Sequence, residues 1–292
     1  MLVSRGGKGA QTVERMPKKR KITLGKVQQT LLLPLWGRAK ESQKTHPLLT
    51  DTAAIRLIDK IDYDFSHMEK GLDEISQLGW IFRCINIDRT VRRFLERHPN
   101  ATVVNIGCGL DTTFERVDNG ALRWYDLDLP DVIDLRNRLI PATGRRKQIA
   151  SSVLDTGWFD KIIVKDCIFF IAAGVLYYFE EEEIKALFLS MADKFPGSEI
   201  IFDAASPFGV KMANRMVIKR SGMDEQSFLK WGLKDARRIE RWDNRLKLVD
   251  AYPYFSHVTT AKRGMAVGLR VKMALFNFFN TSYMIHLRFS VS

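Results

Sequence analysis

The chain has 292 residues, 46% hydrophobic and 27% charged, the balance of a folded globular protein rather than a fibrous, disordered or membrane-embedded one. Its formal net charge of +12 is uneven: residues 1–26 carry eight Lys/Arg against one Glu, residues 205–292 carry sixteen against six acidic residues, and the stretch between is net acidic. No nucleic-acid-reading motif accompanies this charge, so nucleic acid is not an expected partner.

Residues 1–25 read as a basic tail ahead of one folded unit, 26–292, with no apolar segment suited to a secretory signal. The apolar run Leu31–Trp36 is far short of the ~20 residues a membrane span needs. Apolar spacing predicts helices across 26–60, with Asp51 as an N-cap, and across 71–97, ended by His98-Pro99-Asn100. Together 26–100 form an expected helical cap.

From 101 the period changes. Short β-branched or apolar runs at 102–106, 122–127, 148–153, 167–172, 199–203, 247–251 and 282–288 read as strands, with helices at 111–117, 130–138, 180–194 and 233–241. Cys167-Ile168-Phe169-Phe170-Ile171 is apolar throughout, as a strand buried on both faces should be. This alternation predicts an α/β, Rossmann-like fold: a cofactor-binding core over 101–206, a helical lid insert over 207–245 and closing strands over 246–292.

Cys84, Cys108 and Cys167 show neither a CxxC pair nor metal-ligand spacing, which argues for a reducing, cytoplasmic setting without disulfides or a bound metal. The most informative stretch is VVNIGCGLDTT, 103–113. A glycine turn at the carboxyl end of a first strand brings a ligand against backbone and a helix start. Gly107 and Gly109 are present, but the third glycine of a dinucleotide fingerprint is missing and Asp111 would repel two phosphates. The same carboxylate suits a cofactor carrying a sulfonium and an ammonium, so S-adenosylmethionine (SAM) fits and NAD does not. Cys108 between the glycines reads as a space-filler rather than a nucleophile. At the end of the second strand, Asp126 and Asp128 are both candidates for the ribose hydroxyls.

KVQQTLLLPLWGRAKE, KIDYDFS, VVNIGCGLDTTFERV, RWYDLDLPDVIDLR, FIAAGVLYYFEEEEIKALF and the closing IHLRF together resemble the leucine carboxyl methyltransferase family, in its bacterial polyketide O-methyltransferase branch, over roughly 26–290. The resemblance implies a class I SAM-dependent methyltransferase with a seven-stranded, mostly parallel sheet whose last strand is antiparallel. It further implies that Arg83 takes the methionine carboxylate, that Asp128 ahead of Asp126 takes the ribose, and that Asp155 reaches the adenine. One departure stands out: Ala173 occupies the position where some relatives place a Glu for the methionine ammonium.

A carboxylate acceptor is already ionised at neutral pH and needs no base, whereas a phenol or alcohol does. His257 is the best-placed histidine for such a base, and Tyr178 and Asp203 are further candidates near strand ends. The Tyr177-Tyr178 pair and Met273–Phe279 could line an acceptor pocket. The expected function is O-methylation of a carboxylate on a small or carrier-bound acid. The alternatives are a hydroxyl acceptor and a SAM-binding protein without catalysis.

Overall fold

The structure is a computed structural model that describes residues 20–21, 28–220, 224–257 and 265–291. Apart from Arg20–Lys21, the expected basic tail lies outside the described residues. Seven strands form one sheet: β1 Thr102–Ile106, β2 Arg123–Asp128, β3 Arg146–Ala150, β4 Ile168–Ala172, β5 Glu199–Ala204, β6 Leu246–Pro253 and β7 Tyr283–Phe289, in the order β3-β2-β1-β4-β5-β7-β6. The pairings from β3 through β5 are parallel, and β7 runs antiparallel to both neighbours. This is the class I methyltransferase sheet.

The centre of the sheet is buried on both faces, so its strands read as continuous apolar runs and alternation decides which core each side chain enters. Val104, Ile106, Tyr125, Leu127, Phe170 and Phe202 face one cluster, which takes Ile184, Leu187 and Phe188 from helix α7, Glu181–Lys194. Val103, Trp124, Phe169, Ile171 and Ile201 face the other, which takes Phe82, Val91 and Phe94 from α4, Glu74–Arg97. A third cluster joins α1, Leu32–Ser42, and α2, Thr52–Lys60, to α6, Pro130–Leu139. Asp51 caps α2 as its position suggests, its side chain accepting from the Ala54 N–H at 2.9 Å. A short α3, Ser66–Gly71, and α5, Thr113–Val117, complete this half.

Three expectations are corrected. The third strand is Arg146–Ala150 rather than 148–153. Its charged start hides it, because the buried Arg146 side chain is drawn in by Asp126, while Ser151–Val153 leave the ladder and turn into the site. Residues 233–241 hold only a 3-10 turn, Ala236–Arg241, capped by Asp235. The first part of the expected lid insert is α8, Pro207–Ala213, running into a π-helical turn, Asn214–Ile218, and a 3-10 turn follows at Glu225–Ser227. A helix absent from the expectations, α9, spans Val267–Phe278. Only Met273 on it is fully buried, so its apolar residues show no clean one-sided period.

Among the described residues no helix is long and apolar enough to cross a membrane.

Candidate functional site

A cavity of about 810 Å3 lies at the carboxyl ends of β1, β2, β3, β4 and β5, the side of an open parallel sheet where ligands collect. The glycine turn forms its floor. Gly107 and Gly109 have φ of +60° and +46°, in the left-handed region. A Cβ at Gly107 would lie 2.2 Å from the Val175 side chain, so packing as well as backbone shape demands glycine there.

The Asp111 carboxylate accepts from Asn105 Nδ2 and from the Thr113 N–H, both at 3.0 Å. Burial works to raise this carboxyl, but nearby Arg116 and Arg38 outweigh it and hold the group below the usual carboxylate range. It is therefore a fixed negative charge beside the turn. Burial chiefly, with the charges of Asp126, Asp128 and Asp111 against the pull of Arg136, pushes the Cys108 thiol well up, in keeping with a space-filler.

The two acidic residues of β2 separate. Asp126 is buried, with Arg136 at 2.9 Å, Arg146 at 2.7 Å and the Trp124 indole N–H at 2.8 Å, and it does not line the cavity. Arg136 also donates to the Gly109 and Asp111 carbonyls, which ties the glycine turn to α6. Asp128 does line the cavity and accepts from the Gly109 N–H at 2.7 Å and the Leu129 N–H at 2.8 Å. Burial pushes its carboxyl up to about 6, partly offset by those two bonds. Asp155 stays outside the cavity and caps the turn Thr156–Lys161 through the Gly157 N–H, while Ser151, Ser152 and Val153 take the lining position after β3.

Arg83 reaches the cavity from α4. One guanidinium nitrogen donates to Asp203 at 3.0 Å, whereas its Nε is buried without a partner. Gly174, at φ +72°, makes room for it, since a Cβ there would lie 2.4 Å from the guanidinium. An orphaned guanidinium donor is costly unless an acceptor arrives, so this end of the cavity fits a carboxylate-bearing ligand. Ala173 lines the cavity nearby and offers backbone only.

Asp203, at the end of β5, is fully buried and accepts from Arg83, the Gly174 N–H at 2.6 Å, the Tyr177 hydroxyl at 2.8 Å and the Tyr254 hydroxyl. Burial and the Asp203 charge hold both tyrosines well above their ordinary range. Tyr178 also lines the cavity and donates to the Thr30 hydroxyl at 3.1 Å. The outer half is apolar, with Met212, Met216 and Val217 from α8 and its π-turn, and Phe276 with Lys272 from α9.

His257 is not brought to this cavity. It stacks edge-on against Tyr252, with ring centroids 4.2 Å apart, in a separate cleft. Among the described residues no histidine lines the cavity. His98, Asp166 and Cys167 meet at the opposite, amino end of β4, with Cys167 Sγ 3.2 Å from His98 Nδ1.

Asn105, Gly174, Tyr254 and Lys272 join the site without having been singled out as ligands from sequence. A signal existed for Asn105, a polar residue inside an otherwise apolar strand. None existed for Tyr254 or Lys272, whose elements approach only through the fold.

The sequence profile of the leucine carboxyl methyltransferase family matches residues 32–192. Among curated relatives, the tetracenomycin polyketide synthesis O-methyltransferase TcmP of Streptomyces glaucescens is 28% identical over 256 residues, covering 85% of this chain and 93% of the relative. The S-adenosyl-L-methionine-dependent methyltransferase dpfgK of Gibberella zeae is 27% identical over 241 residues, covering 76% and 80%. Among solved structures, a DUF574-family protein of Streptomyces avermitilis superposes with a TM-score of 0.59 at 12% identity, over 89% of this chain and 96% of its own. A Thermobifida fusca protein proposed to be a methyltransferase gives 0.56 at 16%, over 87% and 94%. Both share the fold.

Proposed function

The chain belongs to the leucine carboxyl methyltransferase family and is a SAM-dependent methyltransferase, and from that premise we propose that the group it methylates is a carboxylate on a small, largely apolar acid. O-methylation agrees with the activity named for the Streptomyces glaucescens relative, and a polyketide-like acid is the acceptor class that likeness favours.

In this reading Gly107 and Gly109 admit the donor to the backbone, Asp128 accepts the ribose hydroxyls, and Arg83 takes the methionine carboxylate with its orphaned Nε. Asp111 supplies the negative charge that compensates for Ala173 at the ammonium end. When bound, the donor supplies an activated methyl on a sulfonium, so the protein's task is to position an acceptor oxygen in line and keep water out. Met212, Met216, Val217 and Phe276 hold the acceptor's apolar body, α8 and its π-helical turn cover it, and Lys272 draws its charge inward.

One observation carries the choice of acceptor. Every carboxylate lining the cavity among the described residues already has structural donors: Asp73 caps α4 through the Ser76 N–H, Asp111 is held by Asn105 and Thr113, Asp128 by Gly109 and Leu129, and Asp203 by four groups. Asp73, Asp111 and Asp203 serve the fold and Asp128 is assigned to the ribose, so none is given over to deprotonating a phenol, whereas a carboxylate arrives ionised.

The test uses SAM carrying a labelled methyl group and matched pairs of aromatic acids and phenols. The expected product is a methyl ester that releases labelled methanol in mild alkali. Label that resists alkali and appears only with the phenols would overturn the acceptor assignment while leaving the donor intact.

A further inference from the structure

A second cleft, of about 720 Å3, lies on the other side of α4 from the methyl-donor cavity. Methyl transfer uses none of it. Its walls are the start of α2 at Thr50, Thr52 and Ala53, the outward residues of α4, and His257 beyond β6.

Four arginines and four acidic residues line it, and most of the acidic ones are engaged by buried arginines. Asp51 is buried and engaged by Arg38 and Arg116, Asp88 by Arg116, and Glu115 by Arg146. That leaves Arg89, Arg92 and Arg93 on the cleft wall against Glu96. Arg92 spends one donor on the Arg116 carbonyl. Arg89 lies over the Tyr252 ring at 5.3 Å, and its Nε is buried with no hydrogen-bond partner. His257 meets the same ring edge-on. Burial, with Arg89 and Arg93 and against a smaller pull from Asp250, holds its imidazole below the ordinary range, so the neutral ring is favoured beside these cations.

The start of α2 adds to this. Asp51 satisfies the N–H groups of Ala54 and Ile55, and Thr52 and Ala53, which line the cleft, have N–H groups with no acceptor within the helix. Three guanidinium forks, two N–H groups at a helix start and the hydroxyls of Thr50 and Thr52 are a donor set matched to a tetrahedral dianion. Leu48, Leu49 and Ile85 give the cleft an apolar side.

We propose that this cleft is a second ligand site, separate from the methyl-donor cavity, that binds a phosphate monoester: the phosphate on Arg89, Arg92, Arg93 and the start of α2, the esterified group on the Leu48, Leu49 and Ile85 side. The site stands independently of the acceptor assignment.

The experiment is calorimetry on the full chain with inorganic phosphate, phenyl phosphate and benzoate as probes. Phenyl phosphate should bind one per chain and more tightly than either of the others. Arg93→Ala, at an exposed position that leaves the core alone, should weaken it at least tenfold. Arg89→Ala should do the same, with Arg93→Ala as the safeguard if loss of the Tyr252 contact unfolds it. The His257 ring resonances should titrate at higher pH when phenyl phosphate is bound, since a nearby anion favours the imidazolium. Absence of binding, or an unchanged affinity in Arg93→Ala, overturns the proposal. Equal affinity for inorganic phosphate overturns the monoester assignment, and equal affinity for benzoate overturns phosphate as the recognised group. SAM affinity, measured in the same samples, should be unchanged in Arg93→Ala, which separates this outcome from any failure of the donor site.

Discussion

Arg83 and Asp128 do different work from the many other charged residues because each combines burial with an incomplete set of partners. Arg83 gives one nitrogen to Asp203 and keeps Nε unsatisfied. Arg83→Lys keeps the charge but loses the fork, so SAM affinity measured by calorimetry should fall about tenfold, the worth of one charge-assisted hydrogen bond. Asp128 titrates near 6 because burial disfavours its charge. If Asp128 takes the ribose as proposed, its protonated carboxyl below that pH is a poorer acceptor for the hydroxyls, so SAM affinity should weaken as pH falls through about 6, and Asp128→Asn should flatten the profile. Stability runs the other way: with a folded pKa raised above its unfolded value, Asp128 favours the fold below the unfolded pKa and that contribution is lost as pH rises through about 6.

At the level of elements, Asp126 shows how a strand end is anchored. Its carboxylate joins β2 to Arg136 on α6 and Arg146 on β3, all three side chains within the core. Removing one partner of a buried ion pair strands the others, at a cost of about 3–5 kcal/mol. Asp126→Ala should therefore lower stability by that amount in urea unfolding, and loosen the glycine turn that Arg136 holds through the Gly109 and Asp111 carbonyls. A small effect on stability, with a large loss of SAM affinity in an otherwise intact fold, would instead mean that Asp126 acts on the cofactor directly.

For the whole molecule, the sheet order and the cavity at its carboxyl edge make cofactor binding and folding a linked equilibrium. In the proposed reading SAM is held by groups from α4, β1, β2, β4 and β5 together, and so binds the folded state alone. SAM at a hundred times its dissociation constant should add about 2.7 kcal/mol, visible as a rise in the thermal midpoint. NADH should give no such rise. Gly107→Ala should abolish the SAM effect, because its Cβ would collide with Val175 at a backbone φ of +60°.

The sequence by itself determined the alternation of strands and helices, the glycine turn and the exclusion of a dinucleotide, because period, turn chemistry and a misplaced carboxylate are local properties. It also carried the family resemblance, which the profile match bears out. Strand alternation alone left Asp126 and Asp128 equivalent, because residues two apart point to the same side whatever surrounds them, and only the resemblance put Asp128 ahead. Only the tertiary structure decided that arginines from α6 and β3 close around Asp126 while Asp128 opens on the cavity. The same holds for His257, removed from the site by the path of the chain after β6, and for Tyr254, brought to Asp203 across 51 residues. The α9 helix escaped notice because a helix lying largely in solvent shows no apolar period. Local chemistry is written along the chain; which side chains share a cavity depends on contacts between elements far apart in it.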